Sequence, residues 1–226
     1  MMPRRVLLCL LASCLLAVSG GQLDAQALVE TATPQSKQDL LAIQKRVQKI
    51  LPVVKRATVV VIGDGSGSGV IVSRSGLVLT AGHVCGKEDS SLVIVLPSGR
   101  PVKGVSLGKL ARADAGLVQL EAGRYPFARV RPVADDVEVG TWCLALGHPG
   151  GYDPDRGAVL RLGRVISKSK NTVRSDCKLV GGDSGGPLFD LGGRLVAIHS
   201  RISRAPDQNF HVPLTTFRAE WPQLVP

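Results

Sequence analysis

Short runs of Val, Ile and Leu alternate with clusters of Gly, Pro, Ser and Asp along most of this chain, and this alternation limits the fold more than any other feature. Residues 70–72 and 77–79 are one example, since these two apolar runs flank the turn-forming residues 73–76. β-branched side chains favour strands, whereas Gly, Pro, Ser and Asp favour turns. With 26 glycines and 14 prolines among 226 residues, the pattern predicts an all-β barrel fold.

The N-terminus, residues 1–27, has the pattern of a signal peptide. Arg4 and Arg5 precede an apolar stretch over residues 6–18, which is too short to span a bilayer comfortably as a mature helix. Ala25-Gln26-Ala27 matches the A-x-A cleavage pattern, so the mature chain is expected to begin near Leu28. We therefore expect an exported protein, periplasmic or secreted, without a stable membrane span.

The cysteines leave a second interpretation of the leader open. Residues 11–14 resemble a lipoprotein cleavage box, although further apolar residues follow Cys14. After loss of the leader an odd number of cysteines remains, which allows at most one internal disulfide and leaves one thiol over. The remaining cysteines are Cys85, Cys143 and Cys177.

Residues 28–56 are predicted to form an N-terminal helical extension. Apolar residues recur at helical spacing after Ser36, Asp39 lies near the start, and Lys45, Arg46 and Lys49 lie towards the end, as the helix dipole favours. A helix that packs on the main domain is the favoured interpretation, and a membrane or partner helix is the alternative.

Residues 182–188, Gly-Asp-Ser-Gly-Gly-Pro-Leu, place a serine among glycines, where its hydroxyl can be approached closely. A serine hydroxyl is a weak nucleophile near neutral pH and needs a base, with a third group to orient that base. The glycines by themselves are equally typical of a tight turn.

The chain contains both partners that such a serine needs. His83 follows an apolar run, and Asp114 opens another, so the order along the chain is His, Asp, Ser184. This order is one of three known for such triads. His83 alone would also suit a hydrogen-bonded core position, and Asp114 a turn. Asp135 and Asp136 are weaker candidates because no matching run follows them.

Several short motifs in one order resemble the trypsin-like serine proteases, and among them the bacterial HtrA/DegP type. The resemblance covers roughly Ala57 to Pro213, and too few residues follow for a PDZ domain, which that type usually carries. The motifs lie at residues 67–72, 80–84, 147–151, 181–188 and 195–198.

The resemblance implies a trypsin-like domain over residues 57–226, built from two six-stranded barrels at about 57–130 and 131–213. His83 and Asp114 would lie on the first barrel and Ser184 on the second. It also implies a serine endopeptidase that cuts polypeptides through an acyl-enzyme, with the N–H groups of Gly182 and Ser184 as the oxyanion hole.

Substrate preference is less constrained by the sequence. Residues before the serine and on the following strand shape the S1 pocket in this fold, which indicates Lys178, Leu179 and His199. His199 resembles a residue of the glutamyl endopeptidases that helps to bind a P1 carboxylate, whereas Leu179 is apolar where those enzymes carry a hydroxyl. A small or medium apolar P1 residue is favoured, an acidic one is the alternative, and a protease-like module that binds peptides without cutting them is a third hypothesis.

Asp183 departs from the HtrA type, which usually has Asn there. In digestive trypsins an Asp at this place pairs with a new N-terminus released by cleavage before an Ile-Val-Gly-Gly start. No such start occurs here, and cleavage between Arg56 and Ala57 is only a poor substitute. We therefore expect activity without cleavage of a propeptide.

Other functional classes find little support. The glycine-rich residues 63–69 lack the Gly-Lys-Ser/Thr ending of a phosphate loop. The four histidines are scattered and no metal-ligand spacing occurs, so neither a metal nor another cofactor is expected. The formal charge of +10 is dispersed without interleaved aromatic residues, which indicates no specific nucleic-acid partner. The oligomeric state is left open.

Overall fold

The computed structural model describes residues 33–132, 137–202 and 209–220. The predicted signal peptide, its cleavage site and the lipidation alternative at Cys14 lie outside these residues, as do Asp135 and Asp136.

A helix, α1 (Lys37–Ala57), precedes the first strand. Ser36 caps its N-terminus in a reciprocal capping box with Asp39, and this box satisfies two backbone N–H groups that the helix leaves free. Ile43, Val54 and Ala57 are buried in the main hydrophobic cluster, so the helix packs on the domain as expected. Within the described ranges, no helix is long and apolar enough to cross a membrane.

The first six strands form a closed antiparallel barrel with the order β1-β2-β3-β6-β5-β4. Pairing of β1 with β4 closes it. The short helix α2 (Gly82–Cys85) follows β3, and a 3₁₀ turn (Ala111–Ala113) precedes β6. The strands are β1 Thr58–Ile62, β2 Ser66–Ile71, β3 Leu77–Ala81, β4 Ser91–Val95, β5 Pro101–Leu110 and β6 Ala115–Leu120.

Six of the remaining strands form a second barrel with the order β11-β8-β9-β10-β13-β12, closed by pairing of β11 with β12. The short β7 adds in parallel to the outside of β12, and helix α3 (Leu214–Glu220) follows β13. The strands are β7 Arg129–Val130, β8 Trp142–Gly147, β9 Val159–Ser169, β10 Thr172–Ser175, β11 Pro187–Asp190, β12 Arg194–Ile202 and β13 Asn209–Pro213. The predicted architecture of two six-stranded antiparallel barrels is confirmed.

The largest hydrophobic cluster lies where the two barrels and α1 meet. It combines side chains of the first barrel, such as Leu79 and Leu117, with side chains of the second, such as Phe189 and Ile198. Each barrel also has an apolar cluster of its own. The apolar side chains buried between the barrels therefore fix the position of one barrel relative to the other. They also fix the geometry of any site formed by residues of both barrels.

Cys143 and Cys177 lie in the cluster of the second barrel with their sulfur atoms 3.7 Å apart. They and Cys85 are buried free thiols, so none of the three forms a disulfide in this structure.

Truncating Phe189, which is fully buried at the junction, is expected to lower the free energy of unfolding by about 3–5 kcal/mol, because Phe189→Ala removes apolar contacts and leaves a cavity. Urea unfolding followed by circular dichroism measures this. Leu162→Ala is the matched control, since Leu162 is 44% exposed, and its expected effect is about 0.5 kcal/mol or less. Equal losses in the two variants would contradict the assignment of the core.

Candidate active site

His83 lies on helix α2, directly after strand β3. Gly82 precedes it, and the N–H of Gly82 donates to the carbonyl of Asp114 at 2.9 Å. A Cβ atom at Gly82 would lie 3.2 Å from the carbonyl carbon of Asp114. A glycine at this position thus allows the histidine segment to approach the aspartate segment closely.

Asp114 orients the imidazole of His83. Its Oδ1 and Oδ2 lie 2.9 and 3.0 Å from Nδ1 of His83, and Oδ1 also accepts the backbone N–H of His83 at 2.9 Å. Asp114 has a φ of +56°, a left-handed conformation that Asp tolerates better than most residues. Because Asp114 binds Nδ1, the other ring nitrogen, Nε2, remains available to exchange a proton with a reacting group.

Ser200 supplies a further hydrogen bond to this pair that the sequence analysis did not identify. Its hydroxyl donates to Oδ2 of Asp114 at 2.6 Å. Ser200 directly follows His199 near the end of β12. Its position next to a predicted S1 residue was the one sequence signal that pointed to it. The carboxylate of Asp114 is therefore held by both barrels.

These contacts change the acid–base behaviour of both partners. The hydrogen bond to Asp114 raises the pKa of His83 above its ordinary value, although partial burial opposes the change. Burial by itself would raise the pKa of Asp114, but hydrogen bonds from His83 and Ser200 outweigh it and leave that pKa below the usual range. The pair is thus a carboxylate beside an imidazole that gains a proton easily.

Ser184 lies in the tight turn that precedes β11, at the contact between the barrels. Its carbonyl accepts the N–H of Ser68 from β2 at 2.7 Å. Gly185 has a φ of +84° and lies so close to β2 that a Cβ atom would collide with the carbonyl of Ser68. A glycine is therefore needed after Ser184, because this position has a positive φ and lies too close to β2 for a side chain.

The three triad candidates meet around Ser200. The hydroxyl of Ser200 binds Asp114, and its carbonyl lies 3.5 Å from Oγ of Ser184. Within the described part of the chain, this is the one hydrogen bond of the Ser184 hydroxyl, and none joins it to His83. The structure thus brings His83, Asp114 and Ser184 together around Ser200, with the serine side chain turned towards Ser200.

Two backbone N–H groups are free beside the serine. The carbonyl of Gly181 accepts the N–H of Gly150 at 2.7 Å, and in a trans peptide the N–H of Gly182 must point the opposite way. Gly182 has a φ of +92°, and a Cβ atom there would collide with the carbonyl of His148. Among the described residues, neither Gly182 nor Ser184 has a protein acceptor for its N–H, so both can bind an anionic oxygen.

The predicted S1 residues lie in different environments. Lys178 is exposed to solvent, whereas Leu179 is buried in the core of the second barrel. His199 is 1% exposed, with its Nδ1 at 2.9 Å from Nδ1 of His211, and its Nε2 has no hydrogen-bond partner among the residues that the structure describes. Burial lowers the pKa of His199 far below the ordinary value and that of His211 to about 3, so neither ring carries charge near neutral pH.

No group of three or more His, Cys, Asp and Glu side chains within residues 33–132, 137–202 and 209–220 is arranged to hold a metal ion.

Comparison with known proteins identifies the family of this chain. Residues 67–198, more than half of the chain, match the sequence profile of the family described as "Trypsin-like peptidase domain". The chain belongs to this family. Two curated proteins that are similar in sequence to this chain carry the name "Probable periplasmic serine endoprotease DegP-like". They come from Pseudomonas fulva (34% identical) and Halomonas elongata (31% identical), each over 140 residues.

Both alignments cover 60% of this chain and 29% of the relative, so this trypsin-like chain matches less than a third of the length of those proteins. Among solved structures, the "serine endoprotease from Yersinia pestis" shares the fold, with a TM-score of 0.68 and 22% identity. That match covers 86% of this chain and 68% of the other.

The pKa of His83 is expected to lie above 6.5 and to fall in an Asp114→Asn variant, because the carboxylate favours the imidazolium. The contribution of this pair to stability is therefore full below the unfolded-state pKa of about 6.5 and is lost as the pH rises through the raised pKa of the folded state. NMR titration of the His83 ring protons measures the pKa in the wild type and in the variant. His148 and His211, with pKa values of about 4 and about 3, are internal controls that should stay neutral above pH 6. An unchanged His83 pKa in the variant would contradict the assigned contact.

Proposed function

We propose that this chain is an exported serine endopeptidase that hydrolyses peptide bonds through His83, Asp114 and Ser184. The observation that carries the proposal is the Asp114–His83 pair, in which both carboxylate oxygens lie within 3.0 Å of Nδ1. Ser200 links this pair to a serine among glycines. Membership of the trypsin-like family and the names of the periplasmic relatives support it.

In the first step His83 accepts the proton of the Ser184 hydroxyl while the oxygen attacks the scissile carbonyl. Asp114 keeps the proton of the ring on Nδ1, so that Nε2 is the basic atom, and it stabilises the imidazolium that forms. The Ser184 hydroxyl has to turn from the Ser200 carbonyl towards His83. Such hydrogen bonds are often long in free enzymes and shorten when substrate binds.

The tetrahedral intermediate places a negative oxygen next to the N–H groups of Gly182 and Ser184. Donors of this kind are worth roughly 3–4 kcal/mol each in the barrier. His83 then gives its proton to the leaving amine, and an acyl group remains on Ser184. Water, activated by the same histidine, attacks the ester and releases the acid product.

Substrate polypeptides would bind as an added strand along the end of β12. Pairing of β12 with β11 stops at Ile198, whereas its pairing with β13 continues to Ile202 on the other edge. Among the described strands, none pairs with residues 200–202 on this edge, and the carbonyl of Ser200 lies 3.5 Å from Oγ of Ser184. Main-chain hydrogen bonds to an extended peptide fit such an edge.

A preference for small or medium apolar P1 residues fits the electrostatics better than a preference for acidic ones. His199 is neutral and buried, and Lys178 is exposed, so neither places a fixed positive charge in a buried S1 pocket. Digestion of a peptide library, with cleavage sites read by mass spectrometry, is expected to show no enrichment of Glu or Asp at P1. Such enrichment would instead favour the glutamyl-preferring alternative.

Ser184→Ala is expected to abolish labelling by a fluorophosphonate and to lower kcat on the order of 10⁶-fold, because the nucleophile is lost. Ser98→Ala, at an exposed position in the turn between β4 and β5, is the matched control and should label like the wild type. Peptide binding without Ser184-dependent labelling or turnover would favour a non-cleaving binding module.

A further inference from the structure

Asp183 is a buried carboxylate directly before Ser184. Its side chain is 1% exposed, and Oδ1 accepts a hydrogen bond from a guanidinium nitrogen of Arg161 at 2.8 Å. Its other oxygen, Oδ2, accepts the N–H of Val180 at 2.9 Å. An unpaired buried carboxylate costs several kcal/mol, so the orientation of Asp183 depends on Arg161.

Arg161 reaches this carboxylate from the interior of the second barrel. On β9 it shares a face with Gly163 and Val165, because side chains alternate along a strand, and Val165 is buried in the barrel core. An arginine on this inward-facing side of β9 needs an acidic partner. Asp183 is its one ion-pair partner within the described residues. The side chain of Arg161 is 18% exposed, so water screens the pair only weakly.

The neighbouring strand leaves space for the carboxylate. Gly147, at the end of β8, has no side chain, and a Cβ atom there would lie 2.5 Å from Oδ1 of Asp183. Arg161 lies opposite Ala145 on the same strand pair, so two small residues of β8 border the ion pair. The space for Asp183 and its cation is therefore part of the barrel itself.

The ion pair closes the turn that carries the proposed oxyanion hole. The N–H of Asp183 donates to the carbonyl of Val180 at 3.1 Å, and its carbonyl accepts the N–H of Gly186 at 2.9 Å. Together with the Val180 N–H on Oδ2, these bonds fix Asp183 at both its backbone and its side chain. The N–H groups of Gly182 and Ser184, on either side of it, take their directions from that conformation.

The geometry assigns Arg161 as the positioning residue that holds the oxyanion hole in its active form through Asp183. It takes the place of the charged N-terminus that activates digestive trypsins, so that the chain is active as folded, without proteolytic processing. This inference rests on the proposed peptidase function.

The contacts at the junction of α1 and β1 favour an internal cation over a new N-terminus as the partner of Asp183. Ala57 ends α1 and Thr58 begins β1, and both are fully buried. The hydroxyl of Thr58 donates to the carbonyl of Val54 at 2.9 Å, and Thr58 pairs with Val70 in the barrel. A new N-terminus at Ala57 would have to leave these contacts to reach Asp183.

The test measures peptide hydrolysis by Arg161→Met in the full mature chain. Loss of one oxyanion-hole donor typically lowers kcat by about 10²–10³-fold, so we expect a loss of this size with KM changed by about threefold or less. Arg74→Met is the matched control, since Arg74 is an exposed residue of the turn between β2 and β3, and its kcat should equal that of the wild type. Thermal unfolding verifies that each variant is folded.

A double variant, Arg161→Met with Asp183→Asn, separates positioning from general loss of stability. It removes both charges and keeps an oxygen that can accept the Val180 N–H, so we expect kcat to recover at least about tenfold over Arg161→Met, since a neutral amide costs far less to bury than an unpaired carboxylate. If Arg161→Met does not fold, the double variant compared with the wild type gives the result: kcat within about 10²-fold of the wild type supports the inference, and a larger loss overturns it.

Mass spectrometry of the active wild-type protein should show the chain uncut between Leu28 and Thr58. Activity that requires cleavage near Arg56, or a folded Arg161→Met variant with wild-type kcat, would overturn the role of Arg161 while leaving the proposed peptidase function in place. A wild-type protein that neither labels nor cuts peptides would overturn the proposed function and this inference together.

Discussion

The turn that carries Ser184 depends on Ser68 for its position against the first barrel, within the junction that the apolar cluster between the barrels holds together. Ser68 is fully buried on β2 of the first barrel, and its N–H donates to the carbonyl of Ser184 on the second. Its hydroxyl donates to the carbonyl of Gly182 and accepts the N–H of His148. Because one buried residue holds both the serine turn and the adjoining 147–151 loop, the barrels meet at the place where the chemistry is proposed.

The site is organised by two carboxylates, the partly buried Asp114 and the buried Asp183, whose hydrogen bonds come from elsewhere in the fold. Asp114 receives hydrogen bonds from His83 and Ser200, one on each barrel, and Asp183 receives them from Arg161 and Val180. An ionised carboxylate that leaves water must regain its hydrogen bonds, so each one draws its donors into a defined geometry. In the proposed mechanism the first carboxylate orients the base, and the second orients the turn around the nucleophile.

Much of this protein was predictable from local patterns. Runs of branched residues separated by Gly and Pro determine strands and turns within a few residues, and the all-β prediction followed from them. The helix after Ser36 was predicted for the same reason, since its caps and apolar spacing are local. His83, Asp114 and Ser184 were identifiable because each lies in a short motif at the end of a strand.

The sequence by itself therefore determined the strands, the N-terminal helix and the candidate triad, because those depend on neighbours along the chain. Only the tertiary structure showed the hydrogen bonds of Ser200 to Asp114 and of Arg161 to Asp183, and the burial of Leu179 in the apolar cluster of the second barrel. Arg161 and Asp183 are 22 residues apart, and barrel closure together with the register of β8 and β9 brings them within hydrogen-bonding distance. Such contacts join side chains that are distant in sequence and form only when the barrel closes, so patterns of neighbouring residues do not reveal them.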